Sequence, residues 1–348
     1  MTTTEILGAQ LRQQVLDTNR AQARAIVAAA RPGAIGANGA FVFFAAFDGT
    51  NNDLLNAGNA QNTNVAQLYE QVQAATGAHP SLRAHYFAGP GSKGTLSKPA
   101  WLEPAVTRQV IDTADRAYRA FALDAARWLA AHPGAALHCV VAAFSRGNAS
   151  AAIFSQMLFA RGLADPADAG RLLLAPGRVP LSAGILFDPV MTGVQCNLAF
   201  APNARHLVQI RAQDEYRRLF RAADYSAQSC VTCIDVLGNH CDVGGGYDNG
   251  LAALTLEAAT SCLRAAGLPL APVAPARVFA GVDAIAIHSE ERDDAGQPKW
   301  DVYDHFGSTR ILRPGPRLND RVATPAVATA AGDTLTLSNG EAVPVARA

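Results

Sequence analysis

An apolar run that stops abruptly at a serine is the feature that most constrains the fold of this chain. Residues 140–144 are apolar, Ser145 interrupts them, and small residues with a helical pattern follow. This order predicts a strand, a tight turn and a helix. Ala143 and Gly147 flank the serine, and small residues there let strand and helix backbones approach closely. The stretch has the form of a nucleophile elbow, although an ordinary buried strand-to-helix turn shows the same pattern.

The length and composition of the chain are compatible with one large domain that contains such a turn. The chain has 348 residues, of which 49% are hydrophobic, so it can bury a substantial core. The 29 basic and 29 acidic residues balance, which argues against a nucleic-acid partner. The first residues lack the basic and apolar regions of a signal peptide, and no apolar run reaches membrane-spanning length. We therefore expect synthesis in the cytoplasm without a Sec signal and peripheral membrane contact at most.

A polar turn follows the first predicted buried strand. The apolar run at 40–47 is typical of a strand buried on both faces of a parallel sheet, and it ends at Asp48. Loops at the carboxyl ends of such strands carry the chemistry of open α/β sheets. We expect Asp48 to anchor the turn and the N–H of Gly49 or Thr50 to serve as an oxyanion donor beside the N–H of Arg146. A capped surface turn, or a weak site for a hard cation, is the alternative.

Two later strand ends carry an acid and a base. Asp188 follows an apolar run, and His240 follows a predicted strand at 231–237 and precedes three consecutive glycines. The order Ser145, Asp188, His240 is the order of nucleophile, acid and base in α/β-hydrolases. In such a triad the carboxylate fixes the tautomer of the imidazole, which takes the serine proton.

A rival assignment uses a later histidine. The base of a hydrolase usually follows the last strand, and the apolar run at 284–287 ends at His288. In this alternative Asp242 would be the acid for His288. The residues favour His240 and leave both assignments open.

The stretch at 206–220 is predicted to be an amphipathic helix. Its charged residues would form solvated ion pairs on one face; they are Asp214, Glu215, Arg217 and Arg218.

Six scattered cysteines indicate reduced thiols rather than a disulfide framework. Cys230 and Cys233 have the spacing of a metal or redox pair, but no second pair completes a zinc site. We therefore expect neither a metal nor a cofactor.

Six motifs occur in an order that resembles the catalytic domain of the type VI secretion phospholipase effector family. They lie at 47–52, 63–65, 144–147, 187–190, 214–220 and 240–247. The resemblance runs from about residue 40 to 260 and implies an α/β-hydrolase fold: a mostly parallel central sheet flanked by helices. It also implies that Ser145, Asp188 and His240 form a triad acting on bacterial membrane phospholipids. The chain departs from the family at Ala143 and Pro189, where glycine and threonine are expected, and neither change removes a reacting group.

The resemblance also suggests domain boundaries and partners for this chain. We divide the sequence into an N-terminal helical segment at 1–35, an α/β-hydrolase catalytic domain at 36–312 and a C-terminal tail with a hairpin at 313–348. The family implies delivery by the type VI apparatus into the periplasm of a target cell, with a secretion-spike protein and an immunity protein as partners. Two other functions stay open: a non-catalytic adaptor that keeps the hydrolase scaffold, and an esterase for a small soluble ester.

Overall fold

A computed structural model describes most of the first 289 residues. The described residues are 3–5, 8–36, 39–55, 63–92, 104–194, 196–215, 217, 220, 222–247 and 249–289, with short strands at 322–323, 334–336 and 342–344. The helices are α1 (Ala9–Ala28), α2 (Asn64–Ala75), α3 (Pro104–Ala131), α4 (Gly147–Arg161), α5 (His240–Gly244) and α6 (Leu251–Ala266). The strands are β1 (Thr3–Glu5), β2 (Phe41–Phe47), β3 (Leu82–Phe87), β4 (Leu137–Phe144), β5 (Leu163–Asp165), β6 (Asp168–Leu174), β7 (Leu181–Phe187), β8 (Ala204–Ala212), β9 (Ala223–Asp224), β10 (Val231–Val236), β11 (Ile287–Ser289), β12 (Val322–Ala323), β13 (Thr334–Thr336) and β14 (Ala342–Pro344).

Six parallel strands form the central sheet. Their order is β10-β8-β7-β4-β2-β3, and every neighbouring pair is parallel. Helices cover both faces, which confirms the predicted α/β-hydrolase-like fold class. The strand that ends at Ser145 lies inside the sheet between β7 and β2, so the ends of three adjacent strands meet at one edge.

Burial on both faces explains why the strands read as continuous apolar runs. All seven residues of β2 are buried, and they alternate between two cores. Phe43 and Phe47 pack with residues of α3 and α4, whereas Phe44 and Ala46 pack with residues of α2 and α6. Each strand residue therefore needs an apolar side chain, whichever face it points to.

The predicted helix at 206–220 is wrong, because the first part of this stretch is strand β8. It pairs with β7 on one side and β10 on the other, where a helix could not complete the sheet. Its polar residue Arg211 is tolerated because Asp224 and Asp235 bind the guanidinium, with contacts of 3.0 and 2.6 Å. The carboxylates at 214 and 215 are buried rather than solvated, with 6% and 2% of their surfaces exposed.

Helix α1 packs against α6 and β10. The buried side chain of Asn19 makes two hydrogen bonds with the backbone of Leu237, one to its carbonyl oxygen and one from its N–H, both 2.9 Å long. Outside the central sheet, β1 pairs with β11 in an antiparallel arrangement, and β13 pairs with β14 in the same way. Among the described helices, none is long and apolar enough to cross a bilayer.

Candidate active site

Ser145 lies on a strained turn at the carboxyl end of β4. Its φ angle is 53°, a left-handed conformation that costs a residue with a side chain about 1–2 kcal/mol. Two backbone hydrogen bonds fix the turn to the next strand: the Ser145 N–H donates to Phe187 O at 3.1 Å, and its carbonyl accepts from Val190 N at 3.3 Å. The amide of Asn148 also donates to the carbonyl oxygens of Ser145 and Phe187.

The start of α4 lies against the backbone at the end of β2. A Cβ atom at Gly147 would come within 2.2 Å of Phe47 O and 2.5 Å of Asp48 O. Both atoms belong to the backbone, so a side chain here would force the end of β2 or the start of α4 to shift, and the position favours glycine. The close approach brings the turn after β2 beside Ser145, where a Cβ on Gly49 would lie 3.0 Å from the serine Cβ.

Asp188 and His240 form a buried hydrogen-bonded pair. His240 Nδ1 lies 2.7 Å from Asp188 Oδ2, and the second carboxylate oxygen accepts from Ala212 N at 3.0 Å. Asp188 follows β7 directly, and Phe144 and Phe187 are register partners, so Asp188 and Ser145 occupy equivalent positions on neighbouring strands. Among the described residues, no hydrogen bond reaches Nε2 of His240, the ring nitrogen that would face a reacting hydroxyl.

Aromatic rings hold the imidazole of His240 on two sides. Phe144, the residue before Ser145, stacks on it with ring centroids 4.4 Å apart, and Phe220 meets it edge-on at 5.0 Å. The glycine run that follows His240 provides the space, because a Cβ at Gly244 would lie 1.9 Å from a ring carbon of Phe144. Asn239 caps α5 and completes a capping box with Asp242, which fixes the start of the helix.

The rival residues His288 and Asp242 form a second pair. His288 Nδ1 lies 2.6 Å from Asp242 Oδ1, and the His288 N–H donates to the other oxygen at 3.1 Å. Tyr247 stacks on the His288 ring with centroids 3.9 Å apart. The structure thus brings His240 to Asp188 and His288 to Asp242, as two separate acid–histidine pairs.

Asp48 anchors the turn after β2. Its buried carboxylate accepts from Tyr86 Oη at 2.6 Å, Thr63 Oγ1 at 2.8 Å and Gly49 N at 2.7 Å. Burial raises the pKa of Asp48 to about 6, and the three hydrogen bonds oppose that rise.

The bond from Gly49 to Asp48 corrects one expectation for the oxyanion donors. The Gly49 N–H points to the neighbouring carboxylate and is therefore occupied. The Thr50 N–H makes no hydrogen bond within the described part of the chain, and the Arg146 N–H lies at the start of α4. Thr50 and Arg146 are therefore the better candidates.

The Arg146 side chain joins the two loops beside Ser145. Its Nε donates to Thr192 O at 2.8 Å in the loop after β7, and Nη1 donates to Thr50 Oγ1 at 3.1 Å. Only 1% of the residue is exposed, and burial, with a smaller effect of nearby Arg217, lowers its pKa to about 10. The guanidinium is thus charged at neutral pH and fixes the position of Thr50 relative to the elbow.

Sequence reasoning missed two contributors to this site. It gave no role to Asn148, whose amide holds the elbow, and it placed Glu215 on a solvated helix although the side chain is buried and accepts from His240 N at 3.3 Å. The only sequence signal was their position, Asn148 three residues after the serine and Glu215 within a motif of the resemblance. Cys230 and Cys233 are not joined by a disulfide, and the described residues contain no cluster of His, Cys, Asp and Glu fit for a metal ion.

Comparisons with known proteins give only distant similarities. The chain matches no protein-family model and no curated protein. Among solved structures, an uncharacterized protein from Pseudomonas aeruginosa is 14% identical, with a TM-score of 0.45, over 80% of this chain and 52% of its own. The Tle1 effector bound to the VgrG spike from the type 6 secretion system is 19% identical, with a TM-score of 0.42, over 62% and 53%. Esterase 2 from Thermogutta terrifontis is 19% identical, with a TM-score of 0.35, over 69% and 87%. The chain spans about half the length of the first two proteins.

Proposed function

We propose that this chain is a serine hydrolase that cleaves carboxyl esters through an acyl-enzyme, with Ser145 as nucleophile, His240 as base and Asp188 as acid. The hydrogen bond between His240 Nδ1 and Asp188 Oδ2, beside a serine held at φ 53°, is the observation that carries the proposal. A carboxylate on Nδ1 selects the tautomer whose Nε2 can take a proton. A strained strand-to-helix turn is the arrangement from which a serine hydroxyl attacks.

The reaction runs in two stages. In the first, His240 takes the Ser145 proton while Oγ attacks the ester carbonyl, and the imidazolium that forms is stabilised by Asp188. The tetrahedral intermediate collapses, the alcohol leaves with the proton from the imidazolium, and the acyl group stays on the serine. In the second, the imidazole takes a proton from water, whose oxygen attacks the acyl-enzyme; the bond from the acyl carbon to Ser145 Oγ then breaks, the imidazolium returns the proton to Oγ, and the carboxylic acid leaves.

Two backbone groups would stabilise the oxyanion. We assign the N–H of Arg146, which follows the nucleophile, and the N–H of Thr50 in the turn after β2. Each such donor contributes about 3–4 kcal/mol to the transition state. The bond from the Arg146 guanidinium to Thr50 Oγ1 supports this assignment, since it holds the second donor in place.

Lipid esters, and bacterial membrane phospholipids in particular, are the substrates we propose. The six motifs in family order, from 47–52 to 240–247, support this finer assignment. The same motifs support a role as an antibacterial effector that the type VI system delivers to the periplasm of a target cell, with a spike protein and an immunity protein as partners.

Lipid-product analysis tests the proposal. Wild type, Ser145→Ala and the control Ser226→Ala, at an exposed serine, are incubated with phosphatidylethanolamine–phosphatidylglycerol vesicles and with a soluble short-chain ester. We expect wild type and the control to release fatty acid, and Ser145→Ala to lose about 10³-fold or more. Full activity in Ser145→Ala would refute the nucleophile. Turnover of the soluble ester alone would favour a small-ester esterase, and no turnover with no fluorophosphonate labelling would favour an adaptor.

A further inference from the structure

Four residues that follow β8 surround the stretch that carries His240. We call this group the base cradle; it consists of Asp214, Glu215, Arg217 and Phe220. They belong to one of the six sequence motifs, yet the mechanism above gives none of them a role. Glu215 and Phe220 contact His240 directly, Asp214 binds Gly238 two residues before it, and Arg217 contacts Glu215 and Phe220.

The first two residues of the base cradle bind backbone groups. Asp214 exchanges two hydrogen bonds with Gly238: its Oδ2 accepts from the glycine N–H at 2.7 Å, and its own N–H donates to the glycine carbonyl at 3.0 Å. Glu215 Oε2 accepts from the His240 N–H at 3.3 Å. Buried carboxylates therefore fix the short loop from β10 to α5 at Gly238 and at His240, where α5 begins.

The other two residues hold Glu215 and the imidazole ring. Arg217 binds Glu215 through Nε at 2.8 Å and Nη2 at 2.7 Å, and its guanidinium lies 3.4 Å from the centroid of the Phe220 ring. Phe220 in turn meets the edge of the His240 ring. Burial alone would raise the pKa of Glu215, but the charge and hydrogen bonds of Arg217, with a further contribution from His240, lower it below its ordinary value. Glu215 is thus an anion beside the base.

Glu215 contributes to the charge balance around His240 from the side of the β8 loop. Within the described part of the chain, the charged and titratable groups near His240 are Asp188 after β7, Asp214, Glu215 and Arg217 after β8, Arg146 beside Arg217, and Asp242 with His288 next to α5. The Asp188 carboxylate binds Nδ1 directly, and Asp242 is engaged by His288. Removing the negative charge of Glu215 would take away the carboxylate that Arg217 binds and that interacts electrostatically with His240, so the surroundings of the imidazole would become more positive.

We propose that Glu215 is a positioning residue for His240: it fixes the base through the His240 N–H, and its carboxylate, held by Arg217, stabilises the imidazolium formed during catalysis. The proposal rests on the proposed function, because it assumes that His240 is the base. A substitution that removes the charge and keeps the hydrogen-bond acceptor separates the electrostatic effect from packing.

The rate of Ser145 labelling by a fluorophosphonate, measured against pH, tests this role. In the wild type the rate should rise as His240 loses its proton. Glu215→Gln keeps an oxygen that can accept from His240 N, and it should move the acid limb of the profile to lower pH by about one unit. The weaker base should also lower the plateau rate by about threefold to tenfold.

A matched control is Asp235→Asn, which removes the charge of a partly buried ion pair with Arg211 on the same sheet. The acid limb of the pH profile of this variant should stay at the wild-type pH, even if the substitution lowers the melting temperature. An unmoved limb in folded Glu215→Gln would overturn the proposal and leave the proposed function standing. Absence of labelling in the wild type would overturn both.

Glu215→Asp covers the case in which the glutamine variant does not fold. It keeps the charge for Arg217 but withdraws the carboxylate from His240 N by one methylene. We expect an unmoved acid limb with a plateau rate lowered by at least about threefold. A plateau equal to the wild type would contradict the positioning role.

Discussion

Ser145 and Asp188 both have left-handed backbones, with φ angles of 53° and 32°, and they directly follow register partners on neighbouring parallel strands. Their backbones are also connected, since the Ser145 N–H donates to the carbonyl of the residue before Asp188. Two adjacent strand ends therefore turn away from the sheet together, and both side chains leave it at the same edge. Such strain persists only where the surrounding structure imposes it.

Glycine at position 145 should relieve part of this strain. We expect Ser145→Gly to be more stable than Ser145→Ala by about 0.5–1 kcal/mol in urea unfolding, because glycine adopts a left-handed backbone without a Cβ penalty. The same pair at Ser155, a buried residue inside α4, should show the opposite order, with glycine about 1 kcal/mol less stable. Equal stabilities of the two variants at 145 would mean that the turn stores no strain.

Substitution of the two histidines should separate the base from the second pair. His240→Gln should lower ester hydrolysis by about 10²–10⁴-fold with little change in the amount of folded protein. His288→Gln should keep activity within about tenfold and lower the free energy of unfolding by about 1–2 kcal/mol, since the buried carboxylate of Asp242 loses a hydrogen-bond partner. The reverse result would assign the base to His288.

Gly147→Ala should disrupt the junction between β2 and α4. The new Cβ would overlap two backbone carbonyl oxygens, so the elbow or the turn after β2 must shift. We expect a loss of about 2–4 kcal/mol in the free energy of unfolding and a loss of activity. Gly77→Ala is the control, because a Cβ there meets nothing within 4 Å, and its stability should stay within about 0.5 kcal/mol of the wild type.

The raised pKa of Asp48 predicts a dependence of stability on pH. The folded chain binds this proton more tightly than the unfolded chain, so the stabilising contribution is present at low pH and is lost as pH rises through about 6. Near neutral pH the buried carboxylate costs on the order of 3 kcal/mol relative to its protonated form.

Asp48→Asn should remove this dependence, because the amide is a neutral group of the same shape. Urea unfolding at about pH 4.5 and about pH 7.5 should show the variant gaining stability over the wild type at the higher pH. A difference between variant and wild type that is the same at both pH values would contradict the raised pKa. Asp53→Asn, on the same turn, is the matched control and should show no such gain.

Local pattern was enough to predict strands of the central sheet. The run at 40–47 and the stretch at 231–237 correspond to β2 and β10 within one residue at each end, because each one stops at a clear break in the sequence pattern. The stretch that contains β8 was predicted to be a helix because this strand carries polar side chains, whereas a continuous apolar run is the usual sign of a buried strand. The carboxylates that neutralise Arg211 come from β9 and β10, and a local pattern contains no information about them.

For the candidate site, the sequence pointed to the residues but not to the contacts between them, which depend on the folded chain. Position at strand ends pointed to Ser145, Asp188 and His240, whose separate strands meet at one edge of the sheet. The sequence could not decide between His240 and His288, since that choice depends on which carboxylate each ring contacts. It also could not show that Asp48 would occupy the N–H of Gly49, because hydrogen-bond direction depends on the folded turn.

The two hydrogen bonds between Asn19 and Leu237 have a practical consequence for anyone who shortens this chain. A recombinant fragment that starts after α1 would lose the partner of a buried N–H and a buried carbonyl only three positions before His240, at about 1–3 kcal/mol for each orphaned group. The first helix therefore helps to fix the stretch just before His240, and we expect that a fragment for crystallisation or assay needs to include it.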